Sequence, residues 1–142
     1  MSLTKDTKGM KDRIEEISRE ILDAAFAVHT EMGPGLLESV YLNCMVMELE
    51  ERGYTVAVEV PIKVLYKWKD VRGDGFRMDL LVDDLVVVEI KSVADVKDIH
   101  KKQLLSYLRL ADKLLGLLLN FNDVRLKNGI TKDCQRVLLR AR

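Results

Sequence analysis

Met78-Asp-Leu-Leu-Val-Asp-Asp-Leu-Val-Val-Val-Glu-Ile-Lys91 is the stretch that decides how this chain folds. Two β-rich runs, Phe76 to Val82 and Leu85 to Ser92, flank an Asp-Asp pair, and acidic turn chemistry between apolar runs predicts a hairpin. The second run is apolar on both faces until Glu89 and Lys91, which share one face because strand side chains alternate. An ionised group at the end of a buried strand is costly unless it is paired or coordinates a cation. Glu89 and Lys91 therefore call for a partner.

Asp79 meets that need in only one kind of register. A turn on Asp83-Asp84 alone sets Asp79 against Val88 and sends Glu89 to the opposite face. An odd connection, Asp83-Asp84-Leu85, sets Asp79 opposite Glu89, Leu81 opposite Val87 and Arg77 opposite Lys91. The other face is then apolar throughout, with Val82 against Val86, Leu80 against Val88 and Met78 against Ile90. The odd register is the prediction. Carboxylates at opposed strand positions lie ~5 Å apart at Cβ, close enough to share a divalent cation. Hard oxygen ligands select Mg²⁺ or Mn²⁺. Such a site activates water against a phosphate, and Lys91 is placed to orient the nucleophile or stabilise developing negative charge.

Upstream of this hairpin, Ile14, Ile17, Ile21, Ala24, Ala25 and Val28 carry helical spacing over Ile14 to about Thr30, ending at Met32-Gly33-Pro34-Gly35. A second helix is expected from Leu36 to Arg52, with Glu38 in its first turn and Gly53 as its stop. Thr55 to Val60 and Ile62 to Trp68 read as one strand kinked at Pro61, and Lys69 to Gly75 as a turn. Downstream, Asp98 to Ala111 returns to helical spacing and Leu114 to Asn120 is a buried strand. A last strand is expected near Cys134 to Leu139. The order α-α-β-β-β-α-β-β implies a mixed sheet with helices packed on it, and the segment between Ser92 and Leu114 has the length of a parallel crossover.

Composition narrows the function classes. At 142 residues and 48% apolar content the chain suits one core, with residues 1–10 expected as a disordered or tag-derived lead-in and 11–142 as a single domain. Lysine plus arginine equals aspartate plus glutamate at 23 each, so nucleic-acid binding would need local positive surface. Cys44 and Cys134 are far apart and His29 and His100 are the only histidines, which leaves a zinc site without ligands and suits a reduced, cytoplasmic protein. No apolar run is long enough to span a bilayer, so no membrane partner is expected.

Asp79 followed by Glu89-x-Lys91 resembles the PD-(D/E)XK signature of restriction-endonuclease-like nucleases, with Met78 where that pattern often has proline. Gly35-Leu-Leu-Glu38-Ser-Val-Tyr41 and Gln103-Leu-Leu-Ser-Tyr107 further resemble the small prokaryotic GxxExxY protein family of that superfamily, over about Ile21 to Leu139. The resemblance implies a restriction-endonuclease-like three-layer α/β (α+β) fold with core order α-β-β-β-α-β. It also implies Glu38 as an additional acidic metal-site residue, and Gln103 and Tyr107 as site members on a Q-x-x-x-Y helix like that of RecB-type exonuclease domains. Gln103 and Tyr107, one turn apart, do share a helix face. The expected activity is Mg²⁺- or Mn²⁺-dependent hydrolysis of phosphodiesters in nucleic acid, DNA first, with self-association as one way to complete a substrate channel. The competing expectation is a catalytically inactive module that keeps the fold and binds nucleic acid or a protein. His100 and the Lys97, Lys101, Lys102 group read as a solvated helix face before they read as phosphate contacts.

Overall fold

The computed structural model describes residues 3–73 and 76–135, with side chains from Lys8 onward. Two helices, α1 (Leu3–Met32) and α2 (Glu38–Glu51), precede β1 (Val56–Pro61). A short ribbon of β2 (Leu65–Tyr66) and β3 (Lys69–Asp70) leads to β4 (Arg77–Val82) and β5 (Val86–Lys91). Helix α3 (Asp98–Ala111), β6 (Leu115–Asn120), a 3-10 turn at Leu126–Gly129 and β7 (Ile130–Cys134) follow.

The five-stranded sheet has the order β1-β4-β5-β6-β7, and only the β5–β6 pair is parallel. Parallel neighbours need a crossover, and α3 supplies it. Central strands covered on both sides must be apolar on both faces, which is why Leu85 to Val88 and Leu115 to Leu119 read as continuous apolar runs. On one face, Ile14, Ile17 and Ile21 of α1 and Tyr41, Met45 and Leu49 of α2 bury Leu80, Val82, Val86, Val88 and Ile90. On the other, Leu104, Tyr107 and Leu108 of α3 cover Leu81, Val87 and Leu118. The result is the expected three-layer mixed architecture of the restriction-endonuclease-like kind.

The Gly33–Leu37 turn sets where α2 begins. Gly33 and Gly35 take φ of 71° and 95°, a region that favours glycine. Tyr41, fully buried and stacked on Phe121 at 4.6 Å, donates its hydroxyl to the Gly33 carbonyl and accepts from the Leu36 amide at 3.1 Å. The glycine, glutamate and tyrosine of Gly35-x-x-Glu38-x-x-Tyr41 thus act as turn, first-turn acid and clamp.

Several expectations are corrected. Helix α1 starts at Leu3, within the stretch expected to be a lead-in, because its polar front carries no apolar periodicity to announce it. The kinked first strand is instead two elements: β1 ends at Pro61, and the Ile62 to Trp68 run enters a separate ribbon in which Lys67 and Trp68 form the turn. The last described strand is Ile130–Cys134, upstream of the expected stretch from Cys134 to Leu139, whose residues 136–139 lie outside the described residues. As a sheet edge it is only half-buried and so lacks the apolar run that marks a central strand. Asp74 and Gly75 of the expected turn also lie outside the described residues.

Gly129 closes the corner after β6. A Cβ there would meet the Asn120 carbonyl and Asp123 Oδ2, both at 2.5 Å. Gly129→Ala is predicted to cost about 1–3 kcal/mol of stability, as overpacking does. Urea unfolding should show a lower midpoint with unchanged slope.

Candidate metal-dependent nuclease site

The hairpin adopts the odd register. Val82 pairs with Val86, Leu81 with Val87 and Leu80 with Val88, leaving Asp83, Asp84 and Leu85 as the connection. Asp83 and Asp84 take φ of 50° and 58°, and the Leu85 amide donates to the Val82 carbonyl at 3.0 Å. Short acidic side chains tolerate that left-handed backbone better than most. Asp83 is also tied down, accepting from the Thr55 amide and pairing with Arg13, each at 2.8 Å.

Beyond Leu80 and Val88 the β4–β5 ladder stops, although β4 stays paired to β1 and β5 to β6. Carboxylates take over as acceptors. The Asp79 amide donates to Glu89 Oε2 at 2.8 Å, and the Ile90 amide donates to Asp79 Oδ2 at 2.7 Å. Each acid is anchored through one oxygen, and among the described residues the other oxygen has no hydrogen-bond partner.

Asp79 is irregular on its other flank too. The β1–β4 ladder pairs Val58 with Leu80 and Val60 with Met78, but skips Glu59, whose φ is 50°. Side-chain alternation is disturbed there in both strands. Val56 and Val82 pack with α1 and α2, whereas Val60 and Met78 pack under α3. Met78 therefore does not share a face with Ile90 as expected. A pattern of period two cannot register a non-glycine left-handed residue inside a strand.

Glu38 opens α2 and reaches the end of β5, where its Oε2 accepts from the Ser92 amide at 3.2 Å. Ser92 Oγ donates to the Leu36 carbonyl at 2.6 Å, so one residue binds the start of α2 to the strand that carries Glu89 and Lys91. Glu38, Asn43, Val58, Glu59, Asp79 and Ile90 border a cleft of about 350 Å³. Asn120, buried at the end of β6, accepts from the Val93 amide at 3.0 Å and donates to its carbonyl at 2.9 Å, which secures the chain just after Lys91. Glu59, Ser92 and Asn120 were not legible as site neighbours. A polar residue ending an apolar run is a faint cue for Asn120, and Ser92 offers only its place beside Lys91.

Electrostatics mark the acid pair as only partly compensated. Glu89 is only 5% exposed; burial first, and then the charge of Asp79, push its carboxyl up to about 8, against the Asp79 amide and Lys91. Burial also raises Asp79, opposed by the Ile90 amide and Lys91 and reinforced by Glu38 and Glu59. From the α3 side, Tyr107 lies edge-on to Phe76 at 5.9 Å, and its hydroxyl is raised by burial, then by Glu89 and Asp79, with the adjacent Gln103 side chain opposing. Asp79, Glu89, Lys91 and Glu38 thus come within one another's field, with Tyr107 and Gln103 behind them. His100 instead caps α3, accepting from the Lys97 amide at 3.0 Å, and His29 bonds the Asp123 carbonyl at 2.8 Å.

A family model described as the PD-(D/E)XK nuclease superfamily matches residues 15–133, which span the cores of both helical layers and all five strands of the main sheet. The chain belongs to that superfamily. No curated protein and no solved structure matches it. PD-(D/E)XK nucleases generally use divalent metals, and the donor set suits one. Among the described residues no three carboxylate, imidazole or thiolate groups form a ready cage. A hard cation such as Mg²⁺, however, is commonly held by one or two carboxylates with water and phosphate completing its shell. Asp79 and Glu89 in this PD-(D/E)XK protein would suit such a role, and a bound cation would offset the burial that chiefly raises both carboxyls.

Because the folded Glu89 carboxyl titrates above its unfolded value, its contribution to stability is full below about pH 4.5 and is lost as pH rises towards about 8. Metal-free protein should therefore lose thermal stability over that interval, and Glu89→Gln should flatten the profile. An unchanged profile would show that Glu89 does not hold its proton in the fold.

Proposed function

We propose that this protein is a Mg²⁺- or Mn²⁺-dependent nuclease that hydrolyses phosphodiester bonds, with DNA as the first substrate to test. One observation carries the reading: at the fork of β4 and β5, the buried Glu89 and half-buried Asp79 carboxylates replace the strand ladder, and each keeps one oxygen without a hydrogen-bond partner among the described residues. The superfamily match supports the reaction class. The Gly35-x-x-Glu38-x-x-Tyr41 pattern favours the GxxExxY family within it.

In this reading Asp79 and Glu89 hold the cation with Glu38 as an assisting acid, and the bound ion supplies an acidified water and charge on a phosphate oxygen. Lys91 shares the face of Glu89 on β5 and makes no salt bridge with the described residues, which leaves its ammonium available to orient the nucleophile and stabilise charge on the phosphate. Gln103 and Tyr107 act from α3, where a hydroxyl and an amide can hold water or phosphate. Both cysteines are free, in keeping with a reducing compartment such as the cytoplasm. No described helix is long and apolar enough to cross a membrane.

The test incubates purified protein with single- and double-stranded DNA and RNA in Mg²⁺ and in Mn²⁺. Asp79→Asn and Lys91→Ala are expected to cut the rate about 100-fold or more, and Glu38→Gln less. Equal cleavage by wild type and variants would assign the activity to a contaminant. If no substrate is cut while nucleic acid is still bound, the inactive binding module replaces the nuclease.

A further inference from the structure

Between Pro61 and Arg77, which face each other in the β1–β4 ladder, the chain leaves the sheet and folds into the β2–β3 ribbon. The ribbon joins no core cluster, and every residue from Leu65 to Val71 is exposed. Leu65 pairs with Asp70 and Tyr66 with Lys69, and the Val71 amide donates to the Val64 carbonyl at 2.8 Å. Lys67 and Trp68 make the two-residue turn, both left-handed with φ of 50° and 67°. Asparagine and glycine suit that turn, and a tryptophan there is strained. It is also 91% exposed. Neither turn chemistry nor the core accounts for Trp68.

The surrounding charges suggest what does. Between residues 63 and 72, Lys63, Lys67, Lys69 and Arg72 face Asp70 alone, in a chain whose charges balance overall at 23 each. Asp70 is occupied by Arg72, through its amide at 2.9 Å and its guanidinium at 3.9 Å. Tyr66, 65% exposed, shares its ribbon face with Lys69, and Lys67 lies 5.5 Å from the Tyr66 ring. Cations for phosphates beside open aromatic faces for bases are the two elements of a sequence-tolerant single-strand binder. The location fits as well: Asp79 is two residues into β4 from the ribbon root, ~7 Å along the strand.

We propose that the β2–β3 ribbon is a nucleic-acid arm, with Trp68 and Tyr66 stacking on unpaired bases and Lys63, Lys67 and Lys69 on the adjoining phosphates. It delivers a single-stranded segment to the fork that carries Asp79 and Glu89. The nucleic-acid reading above supplies only the class of ligand; the ribbon's own composition supplies the site.

Trp68 is the only tryptophan, so its fluorescence reports on the ribbon alone. The full chain is titrated in EDTA, which prevents cleavage, with a short single-stranded oligothymidylate, following both tryptophan emission and the anisotropy of a labelled strand. Saturable quenching is expected, weakening as salt rises, with affinity about 10-fold lower in Trp68→Ala. Lys67→Ala/Lys69→Ala should make binding less salt-dependent. Anisotropy that rises without quenching, or Trp68→Ala binding like wild type, would place the strand elsewhere and overturn the proposal. So would absence of binding, or a concentration-dependent emission shift without DNA, which would mark the ribbon as a contact between copies of the chain. Cleavage without quenching removes the arm and leaves the nuclease; quenching without cleavage does the reverse.

Discussion

Everything at the candidate site depends on one substitution of acceptors. Where β4 and β5 part, the amides of Asp79 and Ile90 bond to side-chain carboxylates instead of strand carbonyls. A buried amide without an acceptor is costly, and so is a buried carboxylate without donors. Each settles the other's account at this fork, and the strands can separate without orphaned groups. The geometry also fixes where each acid points, because the bond that anchors one oxygen turns the other outward.

The layers around the fork serve that arrangement. Residues on the two faces of β5 are claimed by different helices, with Val86, Val88 and Ile90 under α1 and α2 and Val87 under α3. Glu89 thus emerges from the most apolar part of the molecule, and burial dominates its titration. Helix α2 brings Glu38 to the same end of the sheet, held there by the Tyr41 clamp on its turn and by Ser92 on its carboxylate. Seen this way, the glycine and tyrosine around Glu38 build the position of the acid. Asn120 does the equivalent for the chain that follows Lys91.

By itself, the sequence determined the layer order, the helix Asp98–Ala111, the central strands and the register of the hairpin. These rest on burial, and burial imposes periodicity: a one-residue slip would have sent Glu89 into the opposite face, so the apolar pattern admits only the odd connection. The mutual proximity of Asp79 and Glu89 followed from the same constraint. Tertiary structure alone decided the rest. The polar front of α1 and the half-buried edge strand Ile130–Cys134 carry little apolar signal, and the left-handed Glu59 that turns Met78 towards α3 leaves no trace in a pattern of alternation. Ser92, Asn120 and the Lys67-Trp68 turn owe their places to hydrogen bonds and backbone angles that form only when distant segments meet. Residue spacing encodes which face is buried; it does not encode which amide will find which oxygen.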